Sequence, residues 1–222
     1  KVFDYGAGST GLSESRAREA GYDAVSVLTA SPDKPHFMGG KLLLMKMVAE
    51  AGTGRLLGFQ AVGPGDVSKR VAQAAMALHG GLTVADLVNA DLPYAPPYSP
   101  AIDNFIMTAH ALENKMAGRM KGVSCREVHE QLGRGERPYL LDVRGADEFE
   151  QMRLGVGENL IPLGALRNRL AELPENKDRE VICYCRISLR GYEAACELEA
   201  NGCTNVKVME GGLAAWPFER EK

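Results

Sequence analysis

The chain has 222 residues, 25% charged and 45% apolar, with 26 lysines and arginines against 29 acidic residues and a net charge of −3. That balance excludes a disordered or collagen-like chain, and it excludes a dedicated nucleic-acid binder, which needs a basic excess. No apolar run reaches the roughly 18–20 residues that span a bilayer, so no membrane partner is expected.

The first residues, Lys1-Val2-Phe3-Asp4-Tyr5, include neither an initiator methionine nor the apolar core of a signal peptide. They read as the start of a piece of a longer, cytoplasmic protein. The five cysteines, Cys125, Cys183, Cys185, Cys196 and Cys203, are odd in number and all lie in the second half. Reduced thiols suit that pattern better than a secreted disulfide framework.

In chain order, Ser13 predicts the cap of a short helix running to about Ala20, and Asp23 to Thr29 a strand. Lys41–Val48 and Arg55–Val62 are strand-like on either side of Ala51-Gly52-Thr53-Gly54, which predicts an antiparallel hairpin. Asp66 caps a helix carrying Val67, Val71, Ala74, Ala75 and Leu78, closed by Gly80-Gly81. Gly63-Pro64-Gly65 before it reads as a turn. Thr83 caps a further short helix to about Asn89, and Leu92 to Pro100 holds too many prolines for helix or central strand. A last helix carries Ile102, Phe105, Ile106, Ala109 and Leu112. The polar, glycine-containing stretch 115–122 predicts an exposed linker.

Beyond it, Ser124 and Glu127 form a capping box for a helix ending near Gly133. Tyr139–Val143, Val181–Tyr184 and Asn205–Val208 are short apolar strands, Arg190 to about Asn201 is a helix closed by Gly202, and Leu213–Trp216 is a helical turn. Alternation of buried strands with helices predicts a parallel sheet covered on both faces.

Cys185-Arg186-Ile187-Ser188-Leu189-Arg190 falls between a buried strand and a helix, at the strand end where ligands bind in such sheets. A thiol there meets free N–H groups, the positive end of the helix dipole and two arginines, all of which favour thiolate and could bring the usual value of about 8.5 into the range of roughly 3.5–7.5. Position alone leaves open a buried structural cysteine. Cys183, two residues earlier, shares a strand face with Cys185; core packing is the better reading and a resolving thiol the other. Cys196 fits a helix and Cys203 a turn. His36, His79, His110 and His129 are scattered, and no metal site is expected.

Residues 123–217 resemble a rhodanese domain. The resemblance rests on Leu141-Asp142-Val143-Arg144, Glu148-Phe149, Ile161-Pro162-Leu163, the Cys185 loop, Gly202-Cys203-Thr204-Asn205-Val206 and Glu210-Gly211-Gly212-Leu213-Ala214-Ala215-Trp216. It implies that Cys185 carries sulfane sulfur as a persulfide, with Arg186, Ile187, Ser188, Leu189 and Arg190 forming the loop around it. Rhodanese-like phosphatases have a loop one residue longer; the four residues between Cys185 and Arg190 fit sulfur transfer. Where many rhodaneses carry Gly-His-Ile, this chain has Arg153-Leu154-Gly155-Val156-Gly157-Glu158-Asn159-Leu160.

Residues 1–112 resemble the dimerisation domain of the FAD-dependent pyridine nucleotide–disulfide oxidoreductases. The matching segments are Gly11-Leu12-Ser13-Glu14, Leu57-Gly58-Phe59-Gln60-Ala61-Val62-Gly63, Thr83-Val84-Ala85-Asp86-Leu87 and Tyr94-Ala95-Pro96-Pro97-Tyr98-Ser99-Pro100. The last resembles the coenzyme A–disulfide reductase and persulfide reductase branch, and implies that Tyr94 and Tyr98 serve a reductase site on the partner subunit of a homodimer. A second tyrosine of that branch would fall near His36-Phe37 and is absent. The resemblance implies a parent enzyme using FAD, NAD(P)H and coenzyme A on small sulfur compounds (persulfide, polysulfide, thiosulfate), with no such cofactor bound by this piece alone. The alternative is a non-catalytic module for dimerisation and docking. The expected organisation is an α+β dimerisation domain with an antiparallel sheet over 1–114, a linker over 115–122, and an α/β rhodanese domain over 123–222, its parallel sheet covered by helices on both faces.

Overall fold

The computed structural model describes residues 1–222, which divide into two compact units, 1–119 and 120–222. In the first, strands β1 (Gly6–Gly11), β2 (Ala24–Pro32), β3 (Leu42–Glu50) and β4 (Leu56–Gly63) make one antiparallel sheet in the order β1-β4-β3-β2. The expected hairpin is β3–β4. Sequence reading passed over β1, whose residues Gly6-Ala7-Gly8-Ser9-Thr10-Gly11 carry no apolar alternation. Its glycines serve close packing: a Cβ on Gly8 would stand 2.9 Å from a methyl of Val71.

Helix α1 (Glu14–Glu19) is capped by Ser13, whose side chain accepts from the Arg16 N–H. Helix α2 (Val67–His79) starts at Asp66, and α3 (Val84–Val88) at a Thr83–Asp86 capping box. Helix α4 spans Asn104–Met116 and is capped by Asp103. Ile102, expected on that helix, lies before it and is 52% exposed, because Asp103 takes the cap position. α2 packs on β1 and β4 and α4 on β2 and β3, with Phe59 and Phe105 edge to face at 5.2 Å.

The stretch read as a linker is partly built into both units: α4 runs through Met116, and Gly122 belongs to strand β5. The second unit holds β5 (Gly122–Val123), α5 (Cys125–Gly133), β6 (Tyr139–Asp142), α6 (Ala146–Gln151), β7 (Asn159–Leu160), α7 (Leu163–Leu166), β8 (Val181–Tyr184), α8 (Leu189–Ala200) and β9 (Val206–Met209). All strand pairs are parallel, in the order β5-β9-β8-β6-β7. Two cores lie on opposite faces. Leu141, Val181, Cys183, Val206 and Val208 pack with Ala194 and Leu198 of α8. Leu140, Ile182, Tyr184 and Met209 pack with Val128 of α5 and with Trp216. The period-2 alternation of each strand thus sorts its side chains between two helical layers. The predicted classes, α+β followed by α/β, are the ones observed. No helix is long and apolar enough to cross a membrane.

Candidate functional site

Cys185 follows the last residue of β8 and continues its alternation, so its side chain falls on the α8 face with Val181 and Cys183 and is only 1% exposed. The chain then turns through Arg186, Ile187 and Ser188 into α8, which begins at Leu189, one residue earlier than expected. The N–H groups of Arg186, Ile187, Ser188, Leu189 and Arg190 donate to no acceptor in the protein. They lie at the positive end of the α8 dipole. Buried thiol and free amides therefore share one loop at the carboxyl end of the central strand.

The loop is held from behind by residues 209–214. The Leu213 N–H donates to the Cys185 carbonyl at 2.9 Å, the Ala214 N–H to the Arg186 carbonyl at 2.8 Å, and the Ser188 hydroxyl to the Met209 carbonyl at 2.8 Å. Gly212 has φ +58°, and a Cβ on it would stand 2.4 Å from the Cys185 carbonyl oxygen. Glycine is required here because two backbones meet with no room for a side chain.

The two loop arginines differ from each other. Arg186 is exposed. Arg190 is clamped by Glu148, with N–H donors 2.7 and 2.8 Å from the two carboxylate oxygens, so its charge is largely matched before it reaches the sulfur. That clamp raises the Arg190 guanidinium above its ordinary value, and a hydrogen bond to Cys185 adds to the rise. The same clamp, chiefly through the Arg190 hydrogen bonds, brings Glu148 down to about 2. Glu148 is in turn positioned by a fully buried pair. Asp142 accepts from Arg144 at 2.6–3.0 Å, and Arg144 donates to the carbonyls of Glu148 and Met152. Asp142, Arg144 and Glu148 lie in segments that carry the rhodanese resemblance, but no local pattern assigns them this role. The usable signal was Asp142 directly after Leu140-Leu141, a carboxylate that demands a buried partner.

Cys183 is fully buried, and burial pushes its thiol up. Residues two apart on a strand are spaced by about 6.6 Å, whereas a disulfide needs Cβ atoms about 3.5–4.5 Å apart, so Cys183 packs the core and cannot close onto Cys185. Cys125 is also a core thiol, raised by burial to about 12. Cys203 is buried and Cys196 exposed, and all five cysteines are free. No group of three His, Cys, Asp or Glu side chains could hold a metal ion.

Tyr94 and Tyr98 belong to the other unit and are brought together there. They are 53% and 73% exposed and line a groove of about 590 Å³ with Asp33, Lys34, Asp66 and Lys69. Beneath the segment, Ser99 donates to Asp103, which also meets Lys69 at 2.9 Å and Arg70 at 3.4 Å. Arg70 is completely buried and donates to Asn104 and to the Asp33 carbonyl. Burial alone would raise Asp103, but the Phe105 N–H, Lys69 and Arg70 together bring it below its ordinary value. The turn at Gly63-Pro64-Gly65 is no phosphate cradle. Asp33 fills it: a Cβ on Gly65 would stand 2.8 Å from that carboxylate, which accepts from the N–H groups of Lys41 and Asp66.

Residues 1–106 match the pyridine nucleotide-disulphide oxidoreductase dimerisation domain, and residues 124–218 the rhodanese-like domain. The chain is 39% identical over 114 residues to the NAD(P)H sulfur oxidoreductase (CoA-dependent) of Pyrococcus furiosus, covering 51% of this chain and 26% of that one. It is 31% identical over 94 residues to a sulfurtransferase of Allochromatium vinosum, covering 42% of this chain and 85% of that one. Among solved structures it is similar to a NAD-dependent persulfide reductase from A. fulgidus, with 38% identity and a TM-score of 0.88 over 97% of this chain and 38% of that one. The chain thus spans about a quarter of the length of the curated relatives it first matches. The second unit makes this chain a member of the rhodanese-like family, and the first matches the dimerisation domain of the pyridine nucleotide-disulphide oxidoreductases.

Proposed function

We propose that the second unit takes up sulfane sulfur on Cys185 and holds it as a persulfide. The carrying observation is the buried Cys185 at the head of five free amides. The Cys185 thiolate attacks the outer sulfur of a persulfide or polysulfide. One S–S bond forms to Cys185, the donor's S–S bond breaks, and the donor leaves as a thiolate, so no net oxidation occurs. The amides stabilise negative charge on the terminal sulfur, as they would an oxyanion. Arg190, aimed by Glu148, adds a donor to the same sulfur.

The parent we infer is a flavin-dependent coenzyme A–disulfide, persulfide or polysulfide reductase, in which this domain delivers sulfur. Relatives named as CoA-dependent sulfur oxidoreductases and a persulfide reductase support this reading. The one glycine-rich turn before a long helix is filled by Asp33 and leaves no room there for a dinucleotide phosphate. We assign FAD and NAD(P)H to the parent enzyme rather than to this turn. The first unit pairs two copies, and Tyr94 and Tyr98 project from it toward a reductase site of the partner subunit. Five free cysteines suit a reducing cytoplasm.

The test is intact mass after treatment with thiosulfate or polysulfide, for the chain and for Cys185→Ser. The expected result is a gain of one sulfur, removed by cyanide or a thiol and lost in the variant. No gain in the unaltered chain with either donor would leave the second unit as a docking module.

A further inference from the structure

Ser188 stands out in the Cys185 loop because it adopts φ +79°, a left-handed conformation that favours glycine. The other non-glycine residue with positive φ is Phe3, 93% exposed near the first residue. Ser188 is instead half-buried beside the candidate nucleophile. It occupies the N-cap position of α8 yet makes no side-chain cap bond. Ser13, Thr83 and Ser124 hold the same position on their own helices with extended backbones, and each hydroxyl accepts from an amide of its first turn. The left-handed turn at Ser188 points the hydroxyl the other way, into the Met209 carbonyl at 2.8 Å. Two consequences follow. The first-turn amides of α8 stay free, and the loop gains a third tie to the 209–214 segment beside the two from Leu213 and Ala214.

We propose that Ser188 is a positioning residue for the sulfur cradle: its hydroxyl, tied to Met209, fixes a left-handed turn that keeps the α8 amides available to sulfur on Cys185. The proposal rests on the assignment of Cys185 as sulfur carrier. Strain and bond are separable by substitution. Ser188→Gly relieves the backbone strain and loses the bond; Ser188→Ala keeps the strain and loses the bond.

The experiment measures three things on the chain and both variants: thermal unfolding, the rate of sulfur uptake from polysulfide by intact mass, and the pH dependence of Cys185 alkylation. Ser188→Gly is expected to unfold at or above the temperature of the unaltered chain. Its sulfur uptake should nevertheless slow by about threefold to tenfold, the worth of one hydrogen bond, with the alkylation midpoint displaced to higher pH. Ser188→Ala is expected to show the same kinetic loss and a lower unfolding temperature. A Ser188→Gly chain with unchanged uptake and an unchanged alkylation profile overturns the proposal. If the unaltered chain takes up no sulfur, the carrier assignment fails on its own. The two alkylation profiles then decide the role of Ser188, a difference supporting it and coincidence overturning it.

Discussion

The Cys185 loop and the Tyr94–Tyr98 segment are both irregular stretches that present chemistry, and both rest on an arginine held by a carboxylate. They differ in what they leave open. The loop buries its cysteine side chain to 1% exposure and leaves backbone amides free. The proline-rich segment exposes its two phenols and fixes its backbone from below, through Ser99, Asp103 and Arg70. On the proposal that Cys185 carries a single sulfur atom, its site is completed inside one domain. On the proposal that Tyr94 and Tyr98 serve a partner subunit, side chains reaching outward from a fixed base are completed by a second surface. The arginines follow the same division: Arg70 has no exposure at all, whereas the Arg190–Glu148 pair is about one-third exposed.

The largest effect is expected where burial is deepest. Asp103→Ala leaves Arg70 without its counter-charge, unties Ser99 and removes the cap of α4. Breaking a buried pair from one side costs about 3–5 kcal/mol. Hydrogen exchange should show the first unit opening by that amount while amides of β8 and α8 keep their protection. Equal loss of protection in both units would mean that the segment's base and the Cys185 loop are not separately supported.

How far the sequence reveals these regions follows the same contrast. The strand–loop–helix around Cys185 was legible because strand alternation and turn chemistry are local, and both survive in the structure. The helix caps at Ser13, Asp66, Thr83 and Ser124 were legible for the same reason. Arg70 was not: it lies on the buried face of α2 with Val67, Ala74 and Ala77, where periodicity expects apolar side chains. Its acceptors come from positions 33, 66, 103 and 104, which no local pattern connects. β1 was missed because its glycines and serine give no alternation, and only the antiparallel pairing with β4 makes it a strand. The Glu148–Arg190 clamp spans 42 residues and needed the fold to bring its halves together.

A middle-sized effect is expected from Glu148. Its folded value of about 2 lies below the ordinary 4.5, so its contribution is present above about 4.5 and lost as pH falls toward 2. Allowing for solvent screening at a partly exposed pair, that contribution is about 1–2 kcal/mol. Urea unfolding of the chain and of Glu148→Gln should differ by this amount at pH 6 and converge as pH approaches 2. A gap that stays constant across that range would mean that the carboxylate's charge is not what holds Arg190. The same variant should slow sulfur uptake at neutral pH, because Arg190 would lose the partner that aims it at Cys185.

The smallest effect is expected from the phenols. The hydroxyls of Tyr94 and Tyr98 donate to no acceptor in the protein, and both rings are more than half exposed. Tyr94→Phe and Tyr98→Phe remove nothing that the folded first unit uses, so each should change its stability by less than about 0.5 kcal/mol. Persulfide formation on Cys185 should keep its rate and its pH dependence in both variants. A Tyr94→Phe chain that unfolds earlier would show that the phenol has a structural partner and that the segment is closed rather than outward-facing. A chain of unchanged stability with slower sulfur uptake would place the phenol in the sulfur-loading step itself, and the division between a self-contained loop and an outward-reaching segment would fall.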